Sequence, residues 1–202
     1  MDGLAEMNVL QYLHHVDKDI TLAINQVWTP LTDKMWLVFS NREIWYVLYV
    51  AVLVFFFVRL GWKRGRIATA ACILCVVCCD QFANFVKDGV QRLRPCVDGE
   101  MLARGVRVLE GGGGCGFFSG HAANATGFAV CSTLGLINDR KHNYKWYGWT
   151  LGIWALMVSM SRVFVGRHFF GDVCVGILCG LLFGWILGRF GGFVMKKLNL
   201  TD

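Results

Sequence analysis

The chain has 202 residues, which suits one domain, and Gly 24 against Pro 2 marks no linker-rich boundary. Hydrophobic residues make up 55% and charged residues 17%, with a mean hydropathy of +0.48; a soluble domain carries roughly a quarter charged, so the reading is an integral membrane protein, and disorder, collagen, coiled coil and a small disulfide scaffold are excluded. The net charge of +6 sits in short basic clusters between apolar runs, a placement that fits membrane topology better than nucleic-acid binding.

Residues 1–19 have an acidic flavour and no long apolar core, so no secretory signal is expected there. Over residues 8–40, apolar positions fall at helical spacing (Val9, Tyr12, Leu13, Val16; then Trp36, Leu37, Phe39), interrupted by Asn25, Gln26, Pro30, Asp33 and Lys34. This pattern predicts an amphipathic helix lying at the membrane interface, a break at Pro30 and a second short helix, with an imperfect first span as the alternative. Five runs are apolar enough to cross a bilayer: 44–60, 67–86, 117–137, 146–161 and 173–188. The fold class is therefore all-α, a polytopic bundle of five to six transmembrane helices with an N-terminal interfacial helix. It divides into an amphipathic segment 1–40, a catalytic transmembrane domain 41–192 and a short basic tail 193–202.

Arg59, Lys63, Arg64 and Arg66 follow the first run, Arg140, Lys141 and Lys145 the third, and Lys196 and Lys197 the last. Five crossings put all three clusters on one side, which the positive-inside rule makes cytoplasmic, and leave the N-terminus outside. The outer side also carries Lys87, Arg92, Arg94, Arg104, Arg107, Arg162 and Arg167, so the charge bias is modest unless those cations have another task. Seven of the nine cysteines lie in apolar runs and read as small packing residues. Cys96 and Cys115 share the one long outer connection, where they are either a disulfide that closes a loop or two unpaired thiols.

Three pieces return to that outer face: Lys87, six residues, then Arg94-Pro95; Ser119-Gly120-His121; and Ser161-Arg162, five residues, His168, three residues, Asp172. Lys87, Arg94 and Arg162 form a cation cluster that calls for a bound anion, and Arg forks suit phosphate oxygens. Ser119 and Gly120 precede a helix, so their backbone N–H groups can point at the anion. His168 and Asp172 are one helical turn apart, so the carboxylate can hold the imidazole tautomer. A neutral His beside phosphate is a nucleophile, and a second His, His121, can protonate the leaving oxygen. Asp80, inside the second run and on one stripe with Asn84 and Lys87, reads either as a support residue, a hydrogen-bond partner inside the bundle that can steer an Arg of the site, or as a neutral or water-bonded core carboxyl.

These three pieces resemble the signature motifs of the type 2 phosphatidic acid phosphatase family, which includes glucose-6-phosphatase and the vanadium haloperoxidases. The resemblance covers roughly residues 40–190. It implies that His168 is phosphorylated, Asp172 orients it, His121 is the general acid, and Lys87, Arg94 and Arg162 hold the phosphate, with no metal or other cofactor. Phe118 stands where many members carry Pro. The segments Asp80–Cys96 and Phe117–Ala129 are similar to Bacteroidetes-type members, usually undecaprenyl-diphosphate or lipid A phosphatases. The implied protein is a lipid phosphatase of the bacterial inner membrane with a periplasm-facing site. Its partner is a lipid phosphate, undecaprenyl diphosphate first, with lipid A or phosphatidylglycerophosphate as alternatives. A lipid or anion transporter is the non-enzymatic alternative, and a haloperoxidase fits poorly because its substrates are soluble.

Overall fold

The computed structural model describes residues 8–139 and 141–200; the acidic start (1–7), Arg140 of the second basic cluster and the last two tail residues lie outside the described residues. Among the described residues the structure is helical, with one isolated bridge, Leu93 to Cys115.

α1 (Val9–Asn25) begins at Asn8, which forms a reciprocal capping box with Gln11. α2 (Pro30–Ser40) begins at Thr29, with Pro30 in the first turn where no N–H partner is lost. The pair matches the expected helix, Pro30 break and short helix. Neither crosses the bundle: α1 reaches only the ends of other helices and the loops between them. Its outward side carries Val9, Leu10, Tyr12 and Leu13, whereas Lys18, Thr21 and Asn25 are buried. An interfacial helix can present apolar residues to lipid and polar ones to the protein.

α3 (Tyr46–Val90) is two spans, 46–60 and 62–90, folded back at Gly61, whose φ of 72° suits glycine. A short helix α4 (Gly99–Ala103) lies in the long connection. α5 (Gly120–Ile137), α6 (Lys145–Phe164) and α7 (Phe170–Lys197) complete the bundle. Five helical segments thus traverse it. α3 and α7 have mean hydropathies of 1.7 and 2.1 over their most apolar stretches, and residues such as Val47, Val58, Phe85, Trp149, Leu178 and Trp185 point outward, as a lipid-facing surface requires. α7 continues through Lys197, and Leu200 packs on the core.

α5 packs most extensively against α7. Gly176, Gly180, Gly184 and Gly188 recur every fourth residue on α7, and a Cβ at Gly180 would stand 2.5 Å from the Ala123 carbonyl oxygen. The backbones approach this closely because the stripe has no side chains, a known mode of membrane helix association. Cys72, Cys75, Cys79 and Cys131 are buried in the same core, and the Cys75 and Cys79 sulfurs lie close against Gly127. At the end remote from the Lys87–Arg94 segment, Arg59 Nε donates to Tyr144 Oη (3.1 Å) and Tyr144 Oη to Asp139 Oδ2 (2.6 Å).

Candidate active site

At the other end of the bundle a cavity of about 470 Å³ opens among α3, α5, α6 and the α6–α7 turn. Lys87, Arg94, Gly120, His121, Arg162 and His168 all line it. The three sequence-separated pieces therefore converge, and each is placed by a local device.

Lys87 sits in the last turn of α3 on a stripe with Asp80 and Asn84. Asn84 Nδ2 donates to Asp80 Oδ2, and Lys87 Nζ to Asn84 Oδ1, both at 3.5 Å. Asp80 lines the cavity and is a hydrogen-bond partner of Asn84. Arg94 follows the helix end, and its Nε donates to the Cys115 carbonyl (3.2 Å). Burial, then the neighbouring Arg167, holds the Arg94 guanidinium below its ordinary pKa; a bound phosphate would relieve both effects.

Ser119 caps α5, its hydroxyl accepting from Ala122 N at 3.5 Å. Its own N–H is committed to the Asp172 carbonyl (3.0 Å) and its side chain is fully buried. Ser119 thus joins α5 to α7 and does not present its N–H to the cavity; of the pair, Gly120 lines it. A Cβ at Gly120 would meet Lys87 Nζ at 3.5 Å.

Gly166, with φ of 80°, turns the chain between α6 and α7, and the Arg162 carbonyl accepts from both Arg167 N and His168 N (3.0 and 3.1 Å). His168 lies in this turn, ahead of α7, so it and Asp172 do not share a helical turn as their spacing suggests. They meet across the helix start: His168 Nδ1 is 3.5 Å from Asp172 Oδ2, and that oxygen accepts the Phe169 N–H at 3.0 Å. Nδ1 has no hydrogen-bond partner among the described residues. Burial lowers the His168 pKa to about 4 against the opposing pull of Asp172, so its imidazole is neutral at pH 7.

Arg162 is almost wholly buried, and its guanidinium is already engaged. It donates to the carbonyl and hydroxyl of Ser40 and to both Glu110 carboxylate oxygens (3.2 and 3.5 Å). Its Nε has no partner among the described residues. Burial would raise the Glu110 carboxyl, but Arg162, Ser40 and Arg167 hold it below the usual carboxylate range. Ser40 Oγ donates to Glu110 Oε2 at 2.5 Å. Glu110 thus occupies the arginine expected to bind phosphate, and neither it nor Ser40 has a motif signature in the sequence. Arg42 and Arg167 also line the cavity; Arg167 is signalled only by its place beside His168.

The remaining outer cations do have another task. Arg92 bonds Asp17 and Asp172, Arg104 bonds Asp19, and Arg107 bonds Asp33. Cys96 and Cys115 are free thiols, with Cys96 Sγ donating to the Gly112 carbonyl (3.3 Å). The tie expected of a disulfide is made by backbone instead: Gly116 N donates to the Arg92 carbonyl at 2.7 Å.

A pattern describing the PAP2 superfamily matches residues 67–195. The chain belongs to the PAP2 superfamily. It is accordingly a membrane-embedded hydrolase of phosphate esters. Its relatives include two proteins named lipid A 4'-phosphatase. The one from Porphyromonas gingivalis is 31% identical over 87% of this chain and 72% of its own length, and the one from Bacteroides thetaiotaomicron is 30% identical over 95% and 82%. The Bacillus subtilis undecaprenyl-diphosphatase BcrC is 30% identical over 40% of this chain and 43% of its own. A crystal structure of a Bacillus subtilis PAP2 type phosphatidylglycerolphosphate phosphatase superposes with a TM-score of 0.72 at 22% identity, covering 92% of this chain and 87% of that one. This PAP2 phosphatase therefore shares its fold with a membrane enzyme of known structure.

Proposed function

We propose that this PAP2 phosphatase removes a phosphate monoester from lipid A at the outer face of the inner membrane, through a phosphohistidine intermediate. Likeness to the two lipid A 4'-phosphatases across 87% and 95% of the chain carries the choice of substrate. Undecaprenyl diphosphate, the first expectation from sequence, gives way because that likeness spans only 40% of the chain.

The chemistry follows from the cavity. Lys87, Arg94, Arg162 and Arg167 surround the space next to His168 and His121 and hold the phosphate oxygens. Neutral His168 attacks phosphorus through Nε2, forming an N–P bond as the bond to the sugar oxygen breaks. His121 gives its proton to that oxygen. A water that returns a proton to His121 then attacks the phosphohistidine and releases inorganic phosphate. Asp172 favours the imidazolium-like charge that develops on His168; the 3.5 Å gap closes as that charge appears. Arg162 reaches the phosphate once Glu110 yields it.

The test is phosphate release by purified protein from lipid A, undecaprenyl diphosphate and phosphatidylglycerophosphate in the presence of EDTA. Dephosphorylated lipid A, identified by mass spectrometry, is the expected product. Turnover of undecaprenyl diphosphate with lipid A untouched would overturn the substrate assignment.

A further inference from the structure

The matched superfamily pattern begins at residue 67, yet the turn that carries His168 and Asp172 is held from the far N-terminal helix. The first three N–H groups around the start of α7 have no partner within that helix, as at any helix start. Phe169 N is taken by Asp172 Oδ2 (3.0 Å), Phe170 N by Thr21 Oγ1 (2.9 Å) and Gly171 N by Asp17 Oδ1 (2.7 Å). Two of these three acceptors belong to α1.

The same Asp17 reaches Asp172 through one arginine. Asp17 Oδ2 accepts from Arg92 Nη2 at 2.7 Å, and Arg92 Nη1 donates to Asp172 Oδ1 at 2.7 Å. The guanidinium carbon also lies over the Phe169 ring, 3.9 Å from its centre. Both oxygens of Asp172 are thereby fixed, one by Arg92 and one by Phe169 N. Asp172 is fully buried, so its charge needs this cation. Neither Asp17 nor Arg92 lines the cavity.

We infer that Asp17 and Arg92 are positioning residues for the catalytic pair: Asp17 aims the Arg92 fork, and Arg92 fixes the carboxylate that faces His168. The N-terminal helix is in this sense part of the active site although it touches no substrate. The inference rests on the roles proposed above for His168 and Asp172.

The experiment compares Asp17→Asn, Arg92→Met and Arg92→Lys with wild type and with His168→Ala. Steady-state kinetics are measured on full-length protein with one soluble phosphomonoester and with lipid A, and the melting temperature of each variant in detergent is recorded. Asp17→Asn keeps the side-chain shape and an acceptor for Gly171 N while losing the charged pair. Its kcat should fall on the order of ten- to a hundredfold, the scale of a small misplacement of reacting groups, with KM within about twofold. Arg92→Met should lose at least as much, and Arg92→Lys, which keeps the charge, should recover part of it. Wild-type kcat in Asp17→Asn, a change confined to KM, or no advantage of Lys over Met would each overturn the inference. So would a loss that follows the unfolded fraction as temperature is varied. If His168→Ala itself stays active, it is the proposed chemistry that falls, and the same data separate the two outcomes.

Discussion

Two histidines and one misplaced-looking acid govern the site at the level of single side chains. His168→Ala and His121→Ala should each lower turnover by roughly 10² or more, measured as phosphate release from lipid A, whereas losses below tenfold in both would remove them from these roles. Glu110 is the less obvious residue. It neutralises Arg162 when no phosphate is present and competes with phosphate for it, so Glu110→Gln should leave the buried Arg162 underpaired. We expect a stability loss of about 1.5–3 kcal/mol, the range for a hydrogen bond to a charged group, and a larger stabilisation by inorganic phosphate than wild type shows. Melting curves with and without phosphate check both parts; equal phosphate responses would mean that Glu110 does not compete. The motif residues were legible because their spacing is rigid. Glu110 was not, because a lone acid in a glycine-bordered loop carries no period, and its partner Arg162 is 52 residues away.

Helix by helix, the close contact between α5 and α7 sets where Ser119, Gly120 and His121 stand relative to His168. Gly180→Val would drive a side chain into the Ala123 carbonyl, so it should cost at least about 1–3 kcal/mol by overpacking and lower activity with it, read from the melting temperature and kcat of the same preparation. The four glycines at every fourth position were visible in the sequence but read only as an apolar span. Apolar runs show where a helix is, and a glycine row shows what it meets only when the partner is known. The helix α1 was legible in extent but its polar face was not, since Lys18 pairs with Asp98 and Glu100 (3.0 and 2.7 Å), far along the chain. Burial opposes the Lys18 charge, yet Glu100 and Asp98 lift its pKa above the ordinary lysine value. Burial likewise works against the Asp98 carboxylate, but the Met101 N–H and Lys18 bring its pKa below normal; Lys18 lowers that of Glu100. The signs fix a window. The depressed carboxylates stabilise above their unfolded values and lose this as pH falls through the folded ones; the raised lysine stabilises below its unfolded value and loses this as pH rises through the folded one. The clamp should hold from about pH 5 to about pH 10. Hydrogen-exchange protection of residues 96–107, taken relative to the intrinsic rate at each pH, should therefore be flat across that range and fall below it; a fall near pH 6 to 7 would contradict this.

For the molecule as a whole, topology follows from the same contacts. Single-cysteine labelling in intact cells should find residues 63–66 and 141–145 on the cytoplasmic side. Residues 97–114 and the start of α1 should label together on the other side, because α1 bonds the 96–107 segment directly. Labelling of α1 from the cytoplasm would require a sixth crossing. The count of five was close to hand in the sequence, where each apolar run maps onto a helix. The fold-back at Gly61 was equally plain as a basic, charged break. What composition could not supply was the order in which parts depend on one another.

That order has a consequence for how the protein is made. Asp17 precedes Gly171, whose N–H it caps, by 154 positions in the chain. At roughly 5–20 residues per second, α1 is synthesised on the order of ten to thirty seconds before its partner exists. Residues 92–107 reach its polar face first, through Arg92, Asp98 and Glu100, and the caps on α7 are added last. The nucleophile turn, conversely, is capped the moment it emerges, by a helix already waiting at the same interface. On the roles proposed above, a nascent chain gains its site only when α7 is in place.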